Sequence, residues 1–405
     1  MDEASTSNAS TGFRGAVFAV TKPLATPELR AALESRLAAF SKSGIRDWRV
    51  FEEPGTRDIE LDRRPLALLG AGAVAAADFA AHAVENFNVV ALVDNLRAGQ
   101  SLFGHPCGSD DEFRAAAKKE PALVAILCCA GDGAVRHFAE LAAEVGVPIL
   151  SLYQARRRVG SIGFGEAHGV PETVERLAYA NPFLDRFADE TSLRTYFSLL
   201  LHRLSWSRHW LDPIRLPYGD MYFGTDVFSV SQAEILVDGG AFDGDTIREF
   251  DRFSHRHARR IYAFEPDARN IAALRTAMAG RDEITIVESG LWSKTTTLAF
   301  RAEGTLASGF DQDGTVPVSV VALDDCVGDA TLIKLDIESA EIPALLGGKN
   351  LIAQKQPKLA IAAYHLPDDL IEIPRTVLDL NPDYRLFLRH HSPWLTDTVI
   401  LAVAP

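Results

Sequence analysis

Four short, mostly apolar runs in the second half of the chain end alike. Ile235-Leu236-Val237 ends in Asp238, Ile261-Tyr262-Ala263-Phe264 in Glu265, Thr331 to Leu335 in Asp336, and Lys358 to Ala363 in Tyr364-His365. Runs this short and this apolar read as buried strands. A further strand is expected at 283–287, and helices near 245–254, 267–279, 339–346 and 369–380. Strands alternating with helices make a parallel sheet. Ligands of such sheets bind beyond the carboxyl ends of the strands. Asp238, Glu265, Asp336 and Glu338 are therefore expected to converge on one crevice. Two last strands, near 384–388 and 396–401, have no helix between them. So short a connection permits only antiparallel pairing.

The acids set the chemistry of that crevice. After Asp238 come Gly239-Gly240-Ala241-Phe242-Asp243-Gly244-Asp245-Thr246, a glycine turn that opens a helix. Gly240 and Gly244 allow close backbone approach to a ligand, and the helix start offers free N–H groups. Acids at 238, 243 and 245 would repel a diphosphate and suit a cationic ligand with an amino group. Glu265 follows Asp238 by 27 residues, where an acid accepts both hydroxyls of a ribose. Pro266 stops the strand, and Asp267 suits either a helix cap or a ligand contact. Glu341 reads equally as a cap of its own helix. His365 is a candidate general base, since its ordinary pKa lies near neutrality. A strand-end histidine with a purely structural role is the competing reading. The Arg389-His390-His391 run is expected in a loop near the last hairpin, and no metal site is expected anywhere.

The first half carries a second, smaller α/β pattern. Residues 65–69, 88–93, 122–129 and 148–151 read as strands, with helices to about Ala83 and over 133–144, and an earlier helix over 27–40. Gly70-Ala71-Gly72-Ala73-Val74-Ala75 fits G-x-G-x-x-A after a strand, and Asp94 follows Gly70 by 24 residues. That is a Rossmann-like fingerprint, weak on its own. Gly70, Gly72 and Asp94 are its candidate nucleotide contacts. Three readings stay open: a nucleotide or nucleotide-sugar binding module, a ligand-free structural or dimerisation domain, and an NAD(P)-dependent oxidoreductase. No catalytic Tyr-Lys pair follows to favour the last.

With 405 residues the chain has room for two or three domains. The expected division is a disordered 1–12, a helix and Rossmann-like domain over 13–155, a helical connector over 156–225, and the larger α/β domain over 226–405. A composition of 47% hydrophobic and 24% charged residues excludes a wholly disordered chain. Net charge is -14, which argues against nucleic acid and anionic membranes as partners. The four cysteines form no C-x-x-C pair, which fits a reducing compartment. The start, Met1-Asp2-Glu3-Ala4-Ser5, does not read as a signal peptide, and no apolar run reaches membrane-spanning length. A cytoplasmic protein is the expectation.

Four stretches together, VDGGAFDGDT (237–246), YAFEPDARN (262–270), IKLDIESAE (333–341) and YHLPDDL (364–370), resemble the FkbM family of S-adenosylmethionine-dependent methyltransferases. The final YRLFLRHHSPWLTDTVILA matches as well, so the resemblance covers about 214–405. It implies a class I methyltransferase fold, a seven-stranded, mostly parallel sheet with an antiparallel terminal hairpin, behind an N-terminal Rossmann-like domain. It implies S-adenosylmethionine as cofactor, contacted through Asp238, Gly239, Gly240, Gly244, Asp245, Thr246, Glu265, Pro266, Asp267, Asn270, Ser289, Asp336 and Glu338. Lys334 and Asp336, with His365, would border the methyl-transfer site. The implied reaction is O-methylation of a hydroxyl on a sugar-like or secondary-metabolite acceptor. A sugar or nucleotide sugar is thus the expected small-molecule partner, and a homodimer stays open. Two departures stand out. The family's third motif commonly has glycine where this chain has Ser339. An acid also often appears in the strand that ends here in Ala362-Ala363.

Overall fold

The computed structural model describes residues 25–42, 48–129, 131–160, 166–169, 171–301, 309–310 and 316–405. The expectation for residues 1–12 lies outside them. The chain divides into two compact units, one of residues 1–174 and 197–214, the other of residues 175–196 and 215–405. The stretch 156–225, expected as a separate connector, is thus shared between the two.

The first unit holds a six-stranded sheet. Its strand order is Ser101–Leu102, His105–Gly108, Val89–Val93, Leu66–Leu69, Val124–Leu127, Ile149–Ser151. All pairs are parallel except the short 101–108 hairpin. Leu66–Leu69 and Val124–Leu127 are buried at every position. This is why they read as unbroken apolar runs, since both faces of a central parallel strand are covered. The hairpin and the helix Asp110–Lys119 lie outside the expected elements. Yet Ser109 and Glu112 form a reciprocal capping box at that helix, a signal written in Ser-x-x-Glu. Ser151 Oγ donates to Trp206 O (2.9 Å) and Arg157 Nη1 to Leu204 O (2.7 Å), which ties 197–214 to this unit.

The second unit holds a seven-stranded sheet. Its order is Arg385–His390, Thr398–Val403, Lys358–Ala362, Leu332–Leu335, Ile235–Gly239, Arg260–Phe264, Ile284–Val287. The last five strands are mutually parallel and the terminal pair is antiparallel, as expected. Helices Asp245–Ser254, Ala268–Ala277, Glu341–Gly347 and Asp369–Leu380 also fall where the pattern puts them. A smaller sheet joins Gly290–Leu291, Val316–Val321, Thr296–Arg301 and Gly309–Phe310. It was not expected from the sequence.

The Arg389-His390-His391 expectation is corrected. Arg389 and His390 lie inside the strand Arg385–His390, not in a loop. Each histidine meets a local partner: Nδ1 of His390 lies 2.9 Å from Thr398 Oγ1, and Nδ1 of His391 lies 2.8 Å from Pro217 O. The exposed edge of this strand is covered by the segment around 187–192. Ala188 N donates to Leu386 O (2.8 Å) and Leu388 N donates to Ser192 Oγ (2.9 Å). Covering an edge in this way removes a template for pairing with another chain. Among the described residues, no helix is long and apolar enough to cross a membrane.

Candidate functional site

Strand register builds the centre of the site. In the parallel pairing Lys334 lies opposite Asp238, flanked by Ala263 on one side and Ala360 on the other. Register-matched residues in neighbouring strands share a face, and the two small alanines leave room between them for a long side chain. Lys334 Nζ sits 3.1 Å from Asp238 Oδ1 and donates to Gly239 O (3.0 Å) and Gly240 O (2.9 Å). Two of the ammonium's three donors thus go to carbonyls of the first turn, and its charge lies beside Asp238. Lys334 is 2% exposed and so anchors the first turn rather than reaching a substrate, which corrects its expected catalytic role.

Asp238 is fully buried, and neither of its carboxylate oxygens makes an aligned hydrogen bond. Burial pushes its pKa up to about 6, against the pull of Lys334. Buried oxygens without donors are costly, and such a site favours a donor arriving with a ligand.

The glycine turn is shaped by the chain itself. Gly240 has φ +75°, and a Cβ there would fall 2.1 Å from Asp336 O. Gly244 has φ +88°, with a Cβ 2.5 Å from Met278 Cε. The expectation that both glycines serve ligand approach is thereby modified: at each, the crowding comes from a neighbouring segment of the same unit. Asp245 opens its helix and its Oδ1 accepts from Thr246 N (2.8 Å).

Glu265 is 5% exposed. Its Oε2 accepts from Phe242 N (2.9 Å), and its Oε1 accepts from Asp267 N (2.9 Å) and Asn270 Nδ2 (3.2 Å). These bonds fix the carboxylate while leaving acceptor capacity, since two oxygens offer about four lone-pair sites. Burial raises its pKa against those donors. Asp267 serves as a helix cap, accepting from Arg269 N (2.8 Å) and Asn270 N (3.4 Å). Pro266 follows the strand end between Glu265 and this cap. The Ser289 hydroxyl turns to Ser319 Oγ (3.2 Å).

The third motif gathers the rest. Asp336 Oδ2 accepts from Tyr222 OH (2.7 Å), and Oδ1 accepts from Tyr364 OH (3.0 Å). His365 is enclosed by three carboxylates. Its Nε2 lies 3.4 Å from Asp336 Oδ1 and 3.6 Å from Glu338 Oε2, and its Nδ1 lies 3.0 Å from Glu341 Oε1. Burial disfavours the imidazolium, but Glu341 first, then Asp336 and Glu338, push its pKa up to about 9. The three carboxylates thus favour the charged form of the ring, while His365 as a general base would act through its neutral form. Glu338 is pushed up to about 7 by burial, against the pull of His365.

Sequence reasoning left out Tyr222, Tyr364 and Asp397 as site residues. Asp397 precedes the last strand, beside Ala362-Ala363, since Ala362 pairs with Val399. Burial raises its pKa and the Asp336 charge adds to that, so its charge is felt at the same cluster. It brings an acid next to the strand end where the family's acid is missing. Its only signal was an acid just before a final strand.

Glu338 and Ser339 both occupy left-handed backbone, at φ +52° and +77°. This gives the family's glycine at the second position a physical reason. Ser339→Gly is expected to stabilise the protein by up to about 1 kcal/mol. The relieved strain of roughly 1–2 kcal/mol is partly offset by the greater freedom of an unfolded glycine. Chemical denaturation of both proteins checks this; a loss of stability would contradict it.

In the first unit, the fingerprint residues also meet at strand ends. Gly72 N donates to Asp94 Oδ2 (3.1 Å) and Leu96 N to Asp94 Oδ1 (3.0 Å). A Cβ at Gly70 would fall 2.5 Å from Cys129 Cβ, and one at Gly72 would fall 2.4 Å from Arg97 Cδ. One Asp94 oxygen thus serves an amide of the glycine turn and the other an amide of its own loop, and side chains of the unit fill the space beside both glycines.

Residues 238–392 match the family model described as Methyltransferase FkbM domain. The matched stretch lies within the second unit. The chain is similar to the crystal structure of Methyltransferase FkbM from Methylobacillus flagellatus KT, at 25% identity and TM-score 0.72, over 93% of this chain and 100% of that one. It also matches Aeropyrum pernix fibrillarin in complex with natively bound S-adenosyl-L-methionine (12% identity, TM-score 0.30, 44% of this chain and 70% of that one). A third match is precorrin-6y C5,15-methyltransferase from Geobacter metallireducens GS-15 (15% identity, TM-score 0.28, 43% and 80%). No curated protein matches the chain.

Proposed function

We propose that this chain is an S-adenosylmethionine-dependent methyltransferase acting on a hydroxyl of a sugar-like or secondary-metabolite acceptor. The observation that carries the reading is the set of acids at the carboxyl ends of three adjacent parallel strands, Asp238 inside its strand and Glu265 and Asp336 just after theirs, within a unit that matches the methyltransferase domain. The residues fit the cofactor. Asp238 offers buried oxygens that lack donors, which suits the amino group of the methionine part. Glu265, fixed by two backbone amides and Asn270, suits a ribose diol. When bound, the cofactor supplies an electrophilic methyl group on a sulfonium.

The protein's part is orientation and proton removal. Orienting two reactants supplies roughly 7–11 kcal/mol of a barrier. Asp336, with Tyr222, Tyr364 and His365 around it, forms the polar wall that would hold the acceptor hydroxyl and take its proton. Incubating the full chain with tritiated-methyl S-adenosylmethionine and a panel of sugars and nucleotide sugars tests this. Label on an acceptor oxygen supports the reading; label on a carbon or nitrogen contradicts O-methylation.

The buried carboxylate also sets a pH dependence. Asp238 titrates near pH 6 in the empty site, and Lys334, Asp245 and Glu265 are the charges that face it. A bound cation favours its ionised form, so its pKa falls on binding. Affinity for S-adenosylmethionine should therefore be full well above pH 6 and fall by up to tenfold per pH unit below it. Asp238→Asn should weaken binding at pH 7.5 and remove that slope. Calorimetric titrations between pH 5 and 8 measure both, and an unchanged slope in the variant would count against the assignment.

A further inference from the structure

We propose that His365 Nε2, Asp336 and Glu338 form a binding site for a divalent cation of the Mn2+ or Mg2+ class, with Glu341 as the residue that orients the histidine. What the cation would do there rests on the methyl-transfer reading; that it binds does not.

The argument begins with His365. Its side chain is 3% exposed, and its Nε2 is buried with no hydrogen bond, facing Asp336 Oδ1 at 3.4 Å and Glu338 Oε2 at 3.6 Å. Cations held at about 2.0–2.2 Å by such ligands place neighbouring ligand atoms roughly 3.0–3.5 Å apart. The distances from Nε2 to the two carboxylates are close to that spacing. Asp336, Glu341 and His365 also present ligand atoms all within 4.8 Å of one another.

The opposite ring nitrogen is held as metal-binding histidines are commonly held. Nδ1 lies 3.0 Å from Glu341 Oε1, a hydrogen-bonding length though not well aligned. Glu341 is 2% exposed and is itself fixed, because its Oε1 accepts from Ile337 N (2.8 Å). A carboxylate on the far nitrogen fixes ring orientation and tautomer at metal sites. Asp336 is likewise oriented, by the hydroxyls of Tyr222 and Tyr364.

Charge points the same way. Asp336, Glu338 and Glu341 face a single histidine, and Asp397 adds a fourth acid whose charge reaches both Asp336 and His365. The tyrosines supply neutral donors only. Glu341 is buried and Asp336 and Glu338 are half-buried, and an excess of negative charge at such a site is relieved when a cation joins it. Two carboxylates with one imidazole suit Mn2+, and Mg2+ or Zn2+ less evenly. An oxygen-bearing acceptor would complete the open coordination positions, next to where the methyl group arrives.

The test is electron paramagnetic resonance of MnCl2 titrated into the full chain without cofactor. Binding removes the six-line signal of free Mn2+. One site per chain is expected. Glu338→Gln should weaken it at least tenfold, and Glu341→Gln by roughly 10–100-fold. Glu338 is partly exposed, so its variant should fold, which circular dichroism checks; Glu372→Gln, on the surface, serves as the control. No binding at millimolar Mn2+, or equal binding by wild type and Glu338→Gln, would overturn the proposal. S-adenosylmethionine is titrated into the same samples. Mn2+ binding without cofactor binding would sink the methyltransferase reading and leave the cation site standing; the reverse would sink only the cation site.

Discussion

Glu265→Gln is expected to bind both S-adenosylmethionine and S-adenosylhomocysteine roughly 100-fold more weakly than the native protein. The two ligands share the ribose, so the losses should be parallel. A charged acceptor contributes about 1.5–3 kcal/mol per hydrogen bond, and losing the bond to its one remaining acceptor site corresponds at the upper figure to about 3 kcal/mol. Glu265 already holds Phe242 N, Asp267 N and Asn270 Nδ2, so it presents its remaining lone pair in one fixed direction. The amide of the variant keeps the shape but places a donor where the native group only accepts. Calorimetry on both ligands measures the effect, with circular dichroism as the control for folding. An unchanged dissociation constant would show that Glu265 is not the ribose anchor.

Arg389→Ala is expected to destabilise the second unit by about 3 kcal/mol, or roughly 6–12 °C in melting temperature. Arg389 is 1% exposed and holds two carboxylates from different segments. Its Nε and Nη2 donate to Asp226 (2.8 and 2.9 Å), and Nη2 and Nη1 donate to Asp189 (2.7 and 3.3 Å). It also reaches Ser192 Oγ (3.1 Å). The low end of the range for a broken buried pair applies, because Asp226 is largely exposed. Arg389→Lys keeps the charge but not the planar fork, so it should recover only part of the loss. Thermal unfolding of the three proteins measures this. A lysine variant as stable as the native protein would show that the fork geometry contributes nothing.

Both predictions draw on residues of different legibility. Glu265 could be found because an apolar run, an acid and a proline follow one another in the chain. The same local grammar marked Asp238, Asp336 and the terminal hairpin. The role of Arg389 could not be found, because Asp189 and Asp226 are distant in sequence and meet it only through the fold. Lys334 was expected at the reaction centre because the family resemblance of IKLDIESAE (333–341) implies it. Strand register instead sets it against Asp238, where two of its donors go to carbonyls of the first turn. His365 was recognised, but its surroundings depend on Glu341, which reads locally equally well as a helix cap. The small second sheet went unseen for a similar reason. Its strands are short, and Gly290–Leu291 is only two residues long, too short for any alternation to show.

The central claim is that the crevice beyond Asp238, Glu265 and Asp336 holds the adenosyl cofactor. Side-by-side calorimetric titration of the full chain with S-adenosylmethionine and with NADPH tests it most directly. One saturable site for S-adenosylmethionine, abolished or greatly weakened in Glu265→Gln, with no heat from NADPH, is the predicted result. Saturable NADPH binding with none for S-adenosylmethionine would contradict it and move the working site to the turn of Gly70, Gly72 and Asp94.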